Sequence, residues 1–169
     1  AENLIGGQVW LNTPVAGLRF GLGAQRFDLH GTVIVSDQED SWKNYYASGE
    51  YAGSRVKLRS EYRKTRLNDA DVDFETWYVY AGVNLTSRLA LHGQFDTSKL
   101  DIPAGGGRFE IAKYYEDWTV GTTFAIRPDV VVKGEYHWAE SQLLETNVQP
   151  LGAPSRPVNY GIVSMSVSF

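Results

Sequence analysis

The chain contains no cysteine. That excludes disulfides, thiolate metal sites and a cysteine nucleophile. It has no run approaching the ~18–20 apolar residues of a membrane helix. It also lacks the 3.6-residue apolar period of an amphipathic helix, and where the pattern is regular its period is two. Neither charge sign dominates: 16 Lys and Arg stand against 20 Asp and Glu. A net charge of −4 argues against a dedicated nucleic-acid binder. None of these absences excludes a membrane, because a β-barrel hides its spans in weak alternation.

What the chain does have suits a β protein. Aromatics make up 13%, with ten Tyr and five Trp, and there are 17 Gly. Tyr and Trp favour strands and collect at membrane interfaces, although a soluble β domain is compatible with the same composition. The length of 169 residues is one domain, long enough for eight or nine tilted crossing strands of about 9–11 residues each. The opening Ala1-Glu2-Asn3 is the start expected of an exported chain after signal removal.

Nine segments read as strands: 4–12, 17–30, 42–52, 54–66, 74–85, 88–98, 112–125, 129–141 and 158–169. Short connectors and long ones alternate. The short ones are Thr13-Pro14-Val15-Ala16, Ala52-Gly53-Ser54, Thr86-Ser87 and Arg127-Pro128. The long ones, about 31–41, 67–73, 99–111 and 142–157, hold Asp37 to Asp40, Asp69 to Asp73 and Gly105-Gly106-Gly107. Short turns at one end and long loops at the other is the outer-membrane pattern. The two acidic runs read as solvated loop tips, with Ca²⁺ or lipopolysaccharide counter-ions as the alternative, and the triple glycine reads as flexible loop.

Alternation assigns the faces. In the last strand Phe169, Val167, Met165, Val163 and Gly161 oppose Ser168, Ser166, Ser164, Ile162 and Tyr160. Leu89, Leu91 and Phe95 oppose Arg88, His92, Gln94 and Asp96. Val130, Val132, Tyr136 and Trp138 oppose Val131, Lys133, Glu135 and His137, while Leu18, Phe20 and Leu22 oppose Arg19. Trp77, Trp118, Tyr136, Trp138 and Phe169 fall near strand ends on the apolar side, as aromatic girdles do. A soluble barrel would place them mid-strand in its core.

The segment 54–66 is the most unusual. Arg55, Lys57, Arg59, Glu61 and Arg63 share one face, opposite Val56, Leu58, Ser60 and Tyr62. A midplane Arg or Lys facing lipid costs roughly 2–4 kcal/mol, so this column must face the lumen. Two roles are open. The column favours anions in a pore, or it pairs with Glu61, Glu135 and Asp96 as a structural charge network. With Arg19, Arg88, His92, Asp96, Lys133 and Glu135 it forms the candidate pore lining.

A terminal Phe169 behind alternating hydrophobic positions resembles the signal read by the outer-membrane insertion machinery. Trp77-Tyr78-Val79-Tyr80-Ala81-Gly82 running to Leu85-Thr86-Ser87-Arg88-Leu89, Asp117-Trp118-Thr119-Val120-Gly121, and Pro128 to His137 resemble the C-terminal half of large bacterial porins. That family builds barrels of roughly 16–18 strands around a water channel. The likeness runs through most of residues 50–169 and implies a trimer.

The expected fold is therefore all-β: an antiparallel transmembrane barrel of eight or nine strands, or the C-terminal part of a larger one. Residues 1–169 are one barrel domain, with 1–12 uncertain as a wall strand. Nine is odd, whereas single-chain bacterial barrels are even. Either strands precede Ala1, or 4–12 lies outside an eight-stranded barrel filled by side chains. The expected function is passive diffusion of small hydrophilic solutes with some anion preference, in the bacterial outer membrane among lipid and lipopolysaccharide. The alternatives are a closed structural or adhesive barrel, a barrel sheathing a partner protein, and a soluble ligand-binding barrel. No enzyme activity, cofactor or metal is expected: His92 and His137 look isolated and no ligand spacing recurs.

Overall fold

Alternating sequences pair side by side when each strand can return directly beside its predecessor, and this chain does so eight times. A computed structural model describes residues 2–29, 40–68, 70–141 and 156–168. The strands are β1 (Glu2–Asn12), β2 (Leu18–Leu29), β3 (Asp40–Ala52), β4 (Val56–Leu67), β5 (Val72–Asn84), β6 (Leu89–Ala104), β7 (Gly107–Arg127), β8 (Val130–Ser141) and β9 (Arg156–Val167). They form one antiparallel sheet in sequence order. Among the described residues β9 makes no ladder with β1, so the sheet is open. β1 is hydrogen-bonded along β2, from Asn12 opposite Arg19 to Ile5 opposite Arg26.

At one end the connections are tight. Thr13 N donates to Leu18 O, and Ala52 N donates to Gly17 O. Gly17 has φ of +81°, and a Cβ there would strike the Ala52 carbonyl, so only glycine fits. Thr86 Oγ1 accepts from the N–H groups of Arg88 and Leu89, a local turn that side-chain hydroxyls form readily.

Two of the expected long loops are absent. β6 and β7 continue through 99–111 and close over Gly105-Gly106, both at positive φ, as a two-residue primed hairpin turn requires. The triple glycine is thus a turn and a strand start. Likewise β4 and β5 extend to Leu67 and Val72, and between them Asp71 N donates to Asn68 O, while Asp69 lies outside the described residues. The run Asp37 to Glu39 lies outside the described residues.

The register carries the polar face unbroken across eight strands. One row reads Arg19, Glu50, Arg59, Tyr80, Gln94, Thr119, His137 and Tyr160. The buried side chains lie almost wholly on this face, among them His92, Ser98, Asp117, Thr119, Ala139 and Ser141. A single sheet buries side chains only on the side toward which it curls, so the polar face is the inner one. Among the described residues only Leu67, Val72, Ile111 and Ala139 are buried hydrophobic side chains.

The opposite face is apolar and open. Leu22, Leu58, Val79, Leu91, Val120 and Val163 are 43–82% exposed. Patches that large on a water-soluble monomer signal an interaction surface. A belt of Tyr62, Trp77, Phe95, Trp118 and Trp138 crosses this face, with Phe95 and Trp118 ring centroids 4.3 Å apart and Trp77 and Phe95 5.1 Å apart. From Leu85 to Trp77 is eight residue steps, roughly 27 Å along the strand at ~3.4 Å each. At the ~35–45° strand tilt of outer-membrane barrels that is roughly 20 Å of height, near their ~25 Å apolar band. Beyond the belt the same face turns ionic. The sequence reading of the two faces holds from the tight turns to the belt, but Trp77 and Trp118 stand mid-strand and not near strand ends, because β5 and β7 run on past the belt.

Candidate functional site

Strands β2, β3 and β4 form a cationic sector on the inner face. Arg19 donates to Glu50 at 2.7 Å, and Arg59 lies 3.5 Å from the other oxygen of the same carboxylate. Arg63 lies 3.4 Å from Glu61. Among the described residues two acids therefore face four cations, since Lys57 joins the column without an ion pair. Arg59 and Arg63 side chains remain 55% and 52% exposed, so their charge reaches the inner space. Arg55 and Arg88 sit at the tight-turn end, Arg88 in the turn before β6.

Strands β6, β7 and β8 form a second sector of carboxylates, histidines and hydroxyls. Asp117, 4% exposed, meets His137 Nδ1 at 2.7 Å and accepts from Tyr115 Oη at 3.1 Å. Thr119 Oγ1 lies 3.0 Å from the same Nδ1. Tyr160 stacks flat on the His137 ring at 4.5 Å. His92 Nε2 meets Glu135 at 3.0 Å, and Lys133 reaches that carboxylate at 2.7 Å. Gly121 lies under the pair, and a Cβ there would strike both His92 and Glu135.

Placement of the sequence-derived residues is mixed. Arg19, Lys57, Arg59, Glu61, Arg63, His92, Asp96, Lys133 and Glu135 all fall on the inner face by register. The expected pairing of the β4 column with Glu135 and Asp96 does not occur. Glu135 serves Lys133 and His92, and Asp96 accepts from Gln94 at 2.9 Å. The β4 cations use Glu50 and Glu61 instead, because ladder neighbours lie about 5 Å apart and β6 to β8 are two or more strands away. The two histidines are not isolated: each is hydrogen-bonded to an acid.

Glu50, Asp117 and Tyr80 also belong to this inner surface and were missed by inspection of the sequence, whereas Tyr160 lies on the polar face where alternation puts it. Period-two parity within β3, β5 and β7 was the available signal for them. The Asp117, His137 and Thr119 cluster is not a catalytic triad. Acid and hydroxyl share one ring nitrogen, whereas a proton relay needs them on opposite nitrogens.

Beyond the belt, the outer face carries an ionic collar. Lys64 lies 3.0 Å from Glu75 and 3.7 Å from Asp73. Arg66 reaches Asp71 at 2.8 Å, and Arg108 joins Asp71, Asp73 and Asp101. Asp71 and Asp73 are therefore cross-links between hairpins and not solvated loop tips. The hydrogen bond from Lys64 holds the Glu75 carboxyl below its ordinary value, and the same bond raises the Lys64 ammonium. Among the described residues no group of three or more potential ligands could hold a metal.

A curling antiparallel meander with a polar charged interior, an apolar exterior and an aromatic belt has the fold of an outer-membrane β-barrel wall. The solved structures agree on that fold. The chain is similar to OmpT (in-vitro folded), an outer membrane protein of Vibrio cholerae, with a TM-score of 0.62 at 12% identity. The match covers 96% of this chain and 55% of that one, so the present chain spans little more than half its length. No family model and no curated protein matches the sequence.

Proposed function

We propose that this chain is part of the wall of a bacterial outer-membrane channel that passes small hydrophilic solutes by diffusion, with a preference for anions. The observation that carries the reading is the β2 to β4 cation sector. Its four basic side chains, Arg19, Lys57, Arg59 and Arg63, face inward against two acids among the described residues, and a surplus of fixed positive charge along a polar lumen attracts anions.

The proposed channel is larger than nine strands. Nine strands matching 55% of the OmpT chain scale to a barrel of about sixteen, which encloses water, whereas eight strands are filled by side chains. The upstream strands would close the two edges left by β1 and β9. No enzymatic step is assigned to it. Insertion through the Phe169 end and assembly as a trimer belong to the same proposal.

Reversal potential across a planar bilayer tests it. The wild-type protein should conduct and favour chloride over potassium, and Arg59→Glu should shift the preference toward cations. An unchanged reversal potential overturns the anion preference. Absence of conductance from correctly inserted protein overturns the channel.

A further inference from the structure

Just past the aromatic belt, three cations stand side by side on the outer face. Arg26 on β2, Lys43 on β3 and Arg66 on β4 are consecutive ladder partners. Like charges directly opposite one another in a sheet destabilise it, so the row costs folding energy unless something anionic covers it. Internal acids do this only in part. Arg26 lies 3.7 Å from Asp28, and Arg66 pairs with Asp71 and Asp73 at the far side. Lys43 has no ion pair among the described residues. Arg26 and Arg66 side chains stay 55% and 44% exposed. Lys64, in the next row, adds a fourth cation.

Directly below the row, toward the apolar band, lies an open furrow of about 560 Å³. Gly7, Ala24 and Ala47 form its floor, and Leu22, Tyr45 and Tyr62 form its walls. The register explains the shape. Gly7, Ala24 and Tyr45 are successive partners in one row, and Val9, Leu22, Ala47 and Tyr62 in the next. Small side chains thus lie diagonally between large ones on a face otherwise covered by bulky residues.

We propose that this site binds one phosphate-bearing lipid of the outer leaflet, with its phosphate on the Arg26, Lys43 and Arg66 row and an acyl chain in the furrow. Charge complementarity selects the occupant. The row spans about 10 Å across three strands, offers guanidinium and ammonium donors that suit phosphate, and sits where the apolar band ends. A headgroup must lie at that height if its chain lies in the furrow. The site is on the long-connection end of the sheet, which faces the cell exterior in barrels of this kind. Lipopolysaccharide belongs to this chemical class. The proposal rests on the membrane-barrel part of the reading above and not on conduction.

The test uses the full-length protein in phosphatidylcholine vesicles with diphosphoryl lipid A, with its dephosphorylated analogue, or with neither. Native mass spectrometry after detergent extraction reads the retained lipid. Wild-type protein should keep one diphosphoryl lipid A and no dephosphorylated analogue. Lys43→Gln and Arg66→Gln should each cut retention about fivefold, the equivalent of ~1 kcal/mol per interfacial cation. Ala47→Phe should reduce retention by filling the furrow, and Lys99→Gln, off the row, should leave it unchanged. Heat-dependent gel mobility confirms that each variant is folded.

Equal retention of the dephosphorylated lipid, an equal loss in Lys99→Gln, or no loss in the Lys43→Gln, Arg66→Gln double variant overturns the proposal. So does complete displacement by inorganic phosphate, which would mark a free-anion site. Disulfide-linked dimers of Ala47→Cys would assign the furrow to a second copy and overturn it too. Conductance on the same samples separates the two readings: protein that keeps the lipid but does not conduct sinks the channel alone.

Discussion

His137 Nδ1 lies 2.7 Å from Asp117 Oδ2 on the neighbouring strand, under the face of Tyr160. Both partners are nearly enclosed, at 12% and 4% exposed. The same carboxylate accepts from Tyr115 and Thr119, so one oxygen organises residues of β7 and β8. Such a network fixes the register of a wall that has almost no apolar core.

Asp117→Ala should therefore destabilise the barrel. It leaves His137, Thr119 and Tyr115 without their shared acceptor, and a buried polar group that loses its partner costs about 1–3 kcal/mol. Asp117→Asn retains an acceptor and should cost less. Urea unfolding in lipid vesicles measures both. Equal midpoints for wild type and Asp117→Ala would show that the network does not support the wall.

The ionic collar yields a pH dependence. Glu75 is held below its ordinary carboxyl value by the Lys64 hydrogen bond, so its contribution is present at neutral pH and is lost as pH falls through that lowered value. Lys64 is raised by the same bond, so its contribution is present at neutral pH and is lost only as pH rises through the raised value. The β4 to β5 turn should thus stay closed over a wide plateau and loosen at both extremes. Protease cleavage at 68–71 against pH reads this directly. In Glu75→Gln cleavage should rise across the plateau toward the level wild type reaches at the extremes, and an unchanged profile would remove the pair from the account.

How much of this was legible beforehand depends on which neighbours a residue answers to. The faces of β4, β6, β8 and β9 were readable because lipid and lumen impose opposite demands on adjacent residues, and Arg59 beside Leu58 satisfies both. Residues 99–111 were misread as loop because the outer face turns ionic beyond the belt. Lys99, Asp101 and Arg108 follow an inverted pattern there, and alternation loses its meaning. The partners of His92 and His137 were hidden for a different reason. Glu135 and Asp117 are 43 and 20 residues away in sequence and adjacent only through register. Register follows from pairing across strands, which no single strand displays.

The assignment of faces is open to a sharper check on two consecutive residues. Leu91 points outward and is 43% exposed, opposite Val83 and Thr122. Ala90 points inward, opposite Asn84 and Thr123. Both lie on β6 between the tight turn and the aromatic belt, at nearly the same depth. Leu91→Arg places a charge against acyl chains, which costs roughly 2–4 kcal/mol near the midplane and less toward an interface. Ala90→Arg places the same charge against the polar lumen, where Thr123 and the water space accept it, so its cost should be small. Folding yield into phosphatidylcholine vesicles, scored by heat-dependent mobility, should fall for Leu91→Arg and hold for Ala90→Arg. The reverse order would mean that water, not lipid, bathes the apolar side. Equal losses would mean that the two sides do not differ, and the inward placement of the cation sector would fall with them.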